Sequence, residues 1–405
     1  MVHSMIYLRC YTCSWTAEDG DVRACPQCGG IIDVTYTSSS LQFEPNRTGI
    51  WRYASRLPGG DHAVSLGEGN TPLLPATHLD PLIGAQTRYY KVEGLNPTGS
   101  YKDRIAAVGM ARLRSLGRTG WAATSSGNAG ASMAAYGARA RLTGHLFTLE
   151  RASPAKLAQI RAHGPQIYAV RGLGLTPEAE RATWSNLAEL CSHRGWGMLV
   201  TAYRFSPHAM DGVKTIAFEL FEQLGAVPAL VYVPAGGGGL LWGLWRGFLE
   251  LQAAGLSATL PRIVAVQPAG CDAIAHAWRS GTALTPLDRC ASAISGLQLT
   301  SPPDGELVLR ALRASGGWAT SVPDEATYAA QLDLARQEGL FVEPAAAITL
   351  AAARIDAQEG RSAGAGAVVC LLTGIGFKDA AAVERMAADR PVTLIDAAEI
   401  LELPA

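Results

Sequence analysis

From residue 118 to residue 372, short apolar runs bounded by glycine or proline alternate with segments of helical period. A chain with that rhythm folds as parallel strands covered by helices. The expected strands are Trp121–Thr124, Leu142–Leu149, Gln166–Val170, Leu230–Val233, Arg262–Val266, Leu340–Val342 and Ala367–Leu372, with Arg88–Val92 ahead of them. The expected helices are Ala131–Ala140, one opened by Ser153 and Pro154, Pro177–Cys191, Val213–Leu224 and one from Leu240; proline suits a first helical turn. At 405 residues there is room for two or three domains and a large core. Hydrophobic residues make up 48% and charged ones 17%, the balance of a soluble globular protein. A net charge of −1 speaks against a nucleic-acid or membrane-surface binder. No run approaches a membrane span, and Met1–Met5 lead into no signal-peptide core, so the cytoplasm is the default expectation. Pro391–Ala405 reads as a tail without assigned structure.

Ahead of this body stand two Cys-x-x-Cys knuckles, Cys10/Cys13 and Cys25/Cys28, separated by eleven residues. Such a pair can set four thiolates tetrahedrally around Zn²⁺, and with all four positions filled by cysteine no site is left open for catalysis. The expectation is a structural zinc ribbon; a disulfide or redox pair is the competing reading. Its only basic residues inside the knuckle region are Arg9 and Arg23, which favours a packing role over nucleic-acid contact. Cys191, Cys271, Cys290 and Cys370 are scattered and read as ordinary buried thiols.

In such sheets ligands gather at the carboxyl ends of the strands, and four of those ends carry unusual residues. In Asn96-Pro97-Thr98-Gly99-Ser100-Tyr101-Lys102-Asp103-Arg104, a turn becomes a helix. Ser100 is the expected N-cap, with Asp103 three residues on. Lys102 then falls in the first turn of an apolar helix, where an ammonium is disfavoured, so its pKa should fall and its amine should react with an aldehyde. A lysine snorkelling to the surface is the alternative. Gly236, Gly237, Gly238 and Gly239 lie between a strand and a helix and expose amides that suit a phosphate, or they form a close-packed turn. Ser125, Ser126 and Gly127 open a helix and suit a carboxylate, with Asn128 free to donate to a ring hydroxyl; capping by serine is the plainer reading. Thr373 ends a very apolar strand and can donate to a ring nitrogen or cap a turn. An aldehyde-reactive lysine, a phosphate cradle, a carboxylate cradle and a ring-nitrogen donor together describe pyridoxal 5'-phosphate with an amino-acid substrate.

The same motifs carry a resemblance. With Gly49–Tyr53, Leu66–Leu73, Phe341–Pro344 and Thr373–Asp379, the chain resembles threonine synthase, within the tryptophan-synthase-like (fold type II) pyridoxal-phosphate family. The resemblance implies an α/β fold of two domains with parallel helix-covered sheets, preceded by the ribbon. It divides the chain into a ribbon at 1–37, a large cofactor-binding domain at 38–117 and 204–405, and a small mobile domain at 118–203. It implies that Lys102 carries the cofactor as a Schiff base, that Asn128 contacts the 3′-hydroxyl, and that Thr373 faces the pyridine nitrogen. Gly236–Gly239 hold the phosphate, and Ser125, Ser126, Gly127 and Ala129 lie at the substrate. A cytoplasmic homodimer in amino-acid biosynthesis is the setting it suggests.

Two departures bear on substrate. Ala129 stands where many relatives carry threonine, and Tyr203-Arg204-Phe205-Ser206-Pro207-His208-Ala209 replaces a family segment that grips the substrate phosphate. The expectation is elimination or replacement at the β or γ carbon of an amino acid whose distal acidic or polar group meets Arg204, in a substrate pocket reshaped by the bulk of Tyr203, with weak or absent turnover of O-phosphohomoserine. Genuine threonine synthase activity, a β-replacement or dehydratase activity on a serine- or threonine-type substrate, and a non-catalytic cofactor-binding paralogue are the alternatives.

Overall fold

The computed structural model describes residues 6–79, 87–150, 152, 154–174, 176–362 and 366–402. Residues 1–5, Ser153 and residues 403–405, on which parts of the reading above fall, lie outside them. In chain order the strands are β1 Ile6–Cys10, β2 Thr16–Glu18, β3 Ile32–Tyr36, β4 Leu73–Pro75, β5 Arg88–Val92, β6 Gly120–Thr124, β7 Thr143–Leu149, β8 Gln166–Val170, β9 Gly197–Met198, β10 Leu230–Pro234, β11 Arg262–Pro268, β12 Trp318–Val322 and β13 Val368–Leu372. The α-helices are α1 Lys102–Ser115, α2 Asn128–Ala140, α3 Pro154–Ala162, α4 Pro177–Arg194, α5 Pro207–Met210, α6 Thr215–Leu224, α7 Gly239–Ala253, α8 Ala273–Ser280, α9 Gly305–Ser315, α10 Asp324–Gln337, α11 Pro344–Gln358 and α12 Ala380–Ala387.

These strands form three sheets. The first, in order β2-β1-β3, is antiparallel. The second runs β12-β11-β10-β13-β5-β4, parallel throughout except for the β4–β5 edge. The third, β8-β7-β6-β9, is parallel and is built by the excursion between α1 and α5. The central strands β10 and β13 are buried along their whole length, as a parallel sheet covered on both faces requires, and their sequences are continuous apolar runs for that reason. Both parallel sheets point their carboxyl ends at the loops singled out above.

The expected strand at Leu340–Val342 does not form. Val342 makes a single antiparallel bridge to Ile375, and Glu343 already caps α11, so too few residues remain for a ladder. The parallel edge strand is instead Trp318–Val322, a short segment between Gly317 and Pro323. Cys271 and Cys290, read above as separate thiols, form a disulfide with Cα atoms 4.8 Å apart, because α8 and the loop after it return the chain beside the end of β11.

The helix that begins with Lys102 is anchored by buried charge. The Arg104 guanidinium is fully buried and bonds Glu93 at 2.7 Å on one side and Glu219 of α6 at 2.6 Å on the other. Lys91 of β5 completes the group at 2.7 Å from Glu219. Burial pushes the Glu219 carboxyl up, but Arg104 and Lys91 outweigh it and hold the group at about 2. The first sheet docks on the same body. Arg246 of α7 pairs with Asp33 at 3.0 Å, Tyr36 donates to Asp211 at 2.5 Å, and Tyr11 meets Trp242 edge to face at 5.3 Å.

Candidate active site

The lysine turn is zipped to the end of β13. Tyr101 N donates to Thr373 O at 3.1 Å, and Ile375 N donates to Gly99 O at 3.0 Å. Gly99 sits at φ +91°, a region that suits glycine. Ser100 does not cap α1: its hydroxyl is buried without a protein partner, and the N-cap position falls to Tyr101. Asp103 reaches back to Thr98 N at 2.7 Å and to the Thr98 hydroxyl, and accepts from Ser132 of α2 at 2.7 Å. The turn is thus closed by Asp103, which ties α1 to α2.

Lys102 opens α1, half-buried, with Nζ 3.1 Å from Thr201 Oγ1 and 4.6 Å above the Tyr101 ring. The chain has five lysines. Lys91 and Lys214 are fully buried in ion pairs. Lys156 and Lys378 bond Ser295 and Gln159, at 2.7 and 2.6 Å. Lys102 alone stands among the strand-end loops at a helix start.

Around it the other expected residues are placed as follows. Asn128 begins α2, and its amide Nδ2 lies 3.1 Å from both oxygens of Glu343. An amide nitrogen carries two hydrogens, so a carboxylate on one of them fixes the side chain's orientation and leaves the second for another acceptor. Burial pushes the Glu343 carboxyl up to about 7, against the Asn128 bond and the charges of Lys378 and Lys102. A Cβ at Gly374 would lie 2.3 Å from Glu343 Oε1, so the glycine after Thr373 makes room for that acid. Thr373 itself is buried at the end of β13.

Gly236–Gly239 turn between β10 and α7. Gly238 has φ +94°, and a Cβ there would lie 2.8 Å from Val308; at Gly239 it would lie 2.8 Å from Asp304 Oδ2. The turn therefore offers backbone amides and no side chain, with the α7 dipole behind it, and fits a phosphate. Asp304 closes its far side, with its N–H on Gly237 O at 2.9 Å. Its carboxylate accepts Tyr203 N at 2.8 Å and Arg204 N at 3.1 Å. Burial pushes Asp304 up to about 6, opposed by those amides and by the charges of Arg204 and Lys102. Asp304 thus borders the glycine turn, and Glu343 borders the Asn128 end of the site.

Ser125 spends its hydroxyl on Gly127 N at 3.2 Å and Gly130 N at 3.0 Å, which is the capping role. Ser126, Gly127 and Ala129 are half-buried beside it. Tyr203 is turned into the core instead of the cleft: it is fully buried, and its hydroxyl donates to Met210 O at 3.1 Å. Arg204 is exposed. Thr201, Glu343 and Asp304 were not singled out in the sequence; Glu343 lay inside a quoted motif, whereas nothing local marked the other two.

At the ribbon, the four cysteine sulfurs lie within 4.8 Å of one another. Two of the spacings are 3.6 Å, near the ~3.8 Å edge of a tetrahedron with ~2.3 Å metal–sulfur bonds.

Residues 64–374 match the protein family described as pyridoxal-phosphate dependent enzyme. A threonine synthase of Methanosarcina acetivorans is 34% identical over 98% of this chain and 95% of that protein. One of Methanocaldococcus jannaschii is 32% identical over 95% and 96%. Among solved structures, maize serine racemase superposes with a TM-score of 0.66 at 22% identity, covering 79% of this chain and 92% of that one. Serine racemase from Dictyostelium discoideum gives 0.62 at 22%, covering 75% and 91%. No helix among the described residues is long and apolar enough to cross a membrane. With a family match over residues 64–374 and relatives 34% and 32% identical along nearly the whole chain, the chain belongs to the pyridoxal-phosphate dependent enzymes.

Proposed function

We propose that the protein is a threonine-synthase-like enzyme in which Lys102 holds the cofactor and moves protons during elimination or replacement on an amino acid. The observation that carries this is the place of Lys102, at the head of α1, bonded to Thr201 and on the turn that is zipped to Thr373 and Ile375. When bound, pyridoxal phosphate supplies an electron sink for negative charge at the substrate's α-carbon. Gly236–Gly239 would take its phosphate, the second N–H of Asn128 its ring oxygen, and Thr373 its ring nitrogen. The Lys102 amine would hold the cofactor and, when free, would take the α-proton and act as acid and base at the β and γ carbons. A neutral threonine, unlike a charged partner, moderates the electron sink, which favours elimination and replacement over transamination. The amides of Ser126, Asn128 and Ala129 at the start of α2 suit the substrate carboxylate, while that of Gly127 is taken by the Ser125 hydroxyl. The small domain at 118–203 would close over it, as a cytoplasmic homodimer, on the strength of the motif resemblance.

For the distal group we infer that Arg204, on the exposed side of the cleft, is the cation, since Ala129 and Ala209 offer no side-chain donor and Tyr203 faces the core. Phosphate release from O-phosphohomoserine is compared with ammonia and 2-oxo acid release from serine and threonine, for the parent and Arg204→Ala. The expected parent value on O-phosphohomoserine lies below the ~10⁴ M⁻¹s⁻¹ of an ordinary enzyme. Efficient threonine formation, unchanged in Arg204→Ala, overturns this substrate reading and leaves the cofactor assignment standing.

Cys10, Cys13, Cys25 and Cys28 would hold one Zn²⁺ per chain as a closed structural site. Metal analysis of protein purified without added metal should give one equivalent, and chelation should unfold the ribbon because the metal supplies its folding energy. Two disulfides and no zinc is the contrary result.

Glu343 gives a pH signature. Its folded pKa of about 7 stands above the ~4.3 of an unfolded glutamate. The native state therefore holds the proton more tightly, and stability falls as pH rises from roughly 4.5 to 7. In cofactor-free protein, the thermal midpoint of the parent should drop more between pH 5 and pH 8 than that of Glu343→Gln. Identical drops would show that this carboxyl is not the titrating group.

A further inference from the structure

The mechanism leaves the ribbon without a chemical part, yet the ribbon walls a cavity apart from the candidate active site. It measures ≈ 210 Å³ and lies where the ribbon's Val22 and Arg23, the C-terminal half of α1, the end of α4 with β9, and the segment entering α5 meet. A single-water void needs only ~15 Å³, so this one has room for a small molecule. None of Lys102, Asn128, Gly236–Gly239 or Thr373 lines it.

Its charge is unbalanced toward cations. Arg112 of α1 pairs with Asp19 at 2.8 Å, and Arg118 pairs with Asp21. Asp19 is also shared with His208 at 2.9 Å. Arg23 is the third guanidinium, and among the described residues no carboxylate pairs with it. It lies close enough to lower the Cys191 thiol, which burial pushes up to about 11. Three guanidiniums and His208 thus line the cavity against one aspartate, Asp21, with Asp19 behind Arg112 and His208, and the guanidinium left without a carboxylate is Arg23. A half-buried guanidinium at a cavity is a two-pronged donor for a carboxylate. The lining also includes Leu113, Leu116 and Met198, apolar surface that a bare inorganic ion would not use.

We propose that this cavity binds a small monocarboxylate with an apolar tail, its carboxylate on Arg23 and its tail on Leu113, Leu116 and Met198. Such a ligand bridges the ribbon, the helix that carries Lys102 and the third sheet. The ribbon then serves as one wall of an effector site.

The test is calorimetric titration of the purified full-length protein with isovalerate, with isovaleramide as its neutral isostere and inorganic phosphate as a bare anion. The expected result is saturable binding of one isovalerate per chain and no binding of the amide or of phosphate. Arg23→Met should weaken isovalerate at least tenfold, with zinc content and circular dichroism confirming that the ribbon is folded. Leu116→Phe, which fills the apolar wall, should weaken it independently. Lys102→Ala should bind as the parent does, since that residue does not line the cavity. Absence of saturable binding, equal binding of the amide or of phosphate, undiminished affinity in folded Arg23→Met or in Leu116→Phe, or loss of binding in Lys102→Ala would each overturn the proposal.

Discussion

Lys102→Ala should lower turnover of the preferred amino-acid substrate by about 10³-fold or more, since in the proposed role it removes both the covalent anchor and the general base in one change. The fold should survive. The Lys102 side chain is half-buried and makes one hydrogen bond, to Thr201, whereas the helix below it is fixed by Asp103 and Arg104. The variant's unfolding midpoint should therefore stay close to the parent's while its visible cofactor absorbance is lost. An unfolded variant would relocate the residue's importance to packing. A variant retaining a tenth of the activity would remove Lys102 from the chemistry.

Arg104→Met should be among the most destabilising single changes in the chain. Methionine replaces the side chain's volume but leaves Glu93 and Glu219 buried, and removing one partner of such a group costs about 3–5 kcal/mol. Glu219 keeps Lys91 at 2.7 Å, and Glu93 keeps only the Thr71 hydroxyl at 2.6 Å and the Asn96 amide at 3.0 Å. The larger share of the cost therefore falls on Glu93. Urea unfolding followed by tryptophan fluorescence measures it, and Glu93→Gln in the Arg104→Met background should recover part of the loss. A loss below about 1 kcal/mol would mean that water or a shifted Lys91 compensates the acids. Activity should fall as well, because Arg104 stands two residues from Lys102 and sets the position of the first turn of α1.

What could be seen in the sequence was local. A turn of Pro97 and Gly99 followed by helical spacing announced the start of α1, and four glycines after a continuous apolar run announced the turn before α7. The parallel sheets followed from the alternation of β and α segments. What could not be seen depends on residues far apart in the chain. Thr201 lies 99 residues from Lys102, and Glu343 lies 215 from Asn128. Asp304 holds the amides of Tyr203 and Arg204 across about 100 residues. The Cys271–Cys290 disulfide depends on where α8 returns the chain, and no spacing rule predicts that. Ser100 looked like a cap by residue type, but Asp103 had closer acceptor geometry to Thr98. Tyr203 could face a cleft or a core by hydropathy alone, and the Met210 carbonyl decided for the core. Trp318–Val322 carries no clean alternation, and only its flanking Gly317 and Pro323 mark it in the sequence.

Everything proposed for the chemistry turns on Lys102 as the residue that holds the cofactor. Borohydride reduction of the purified protein followed by peptide mapping reads this out, since reduction fixes the cofactor's aldehyde carbon to the amine that holds it. With only five lysines in the chain the readout is unambiguous. The predicted result is one pyridoxyl group per chain on the peptide containing Lys102. A label on Lys156 or Lys378, or no label in protein that shows the visible absorbance, would contradict it.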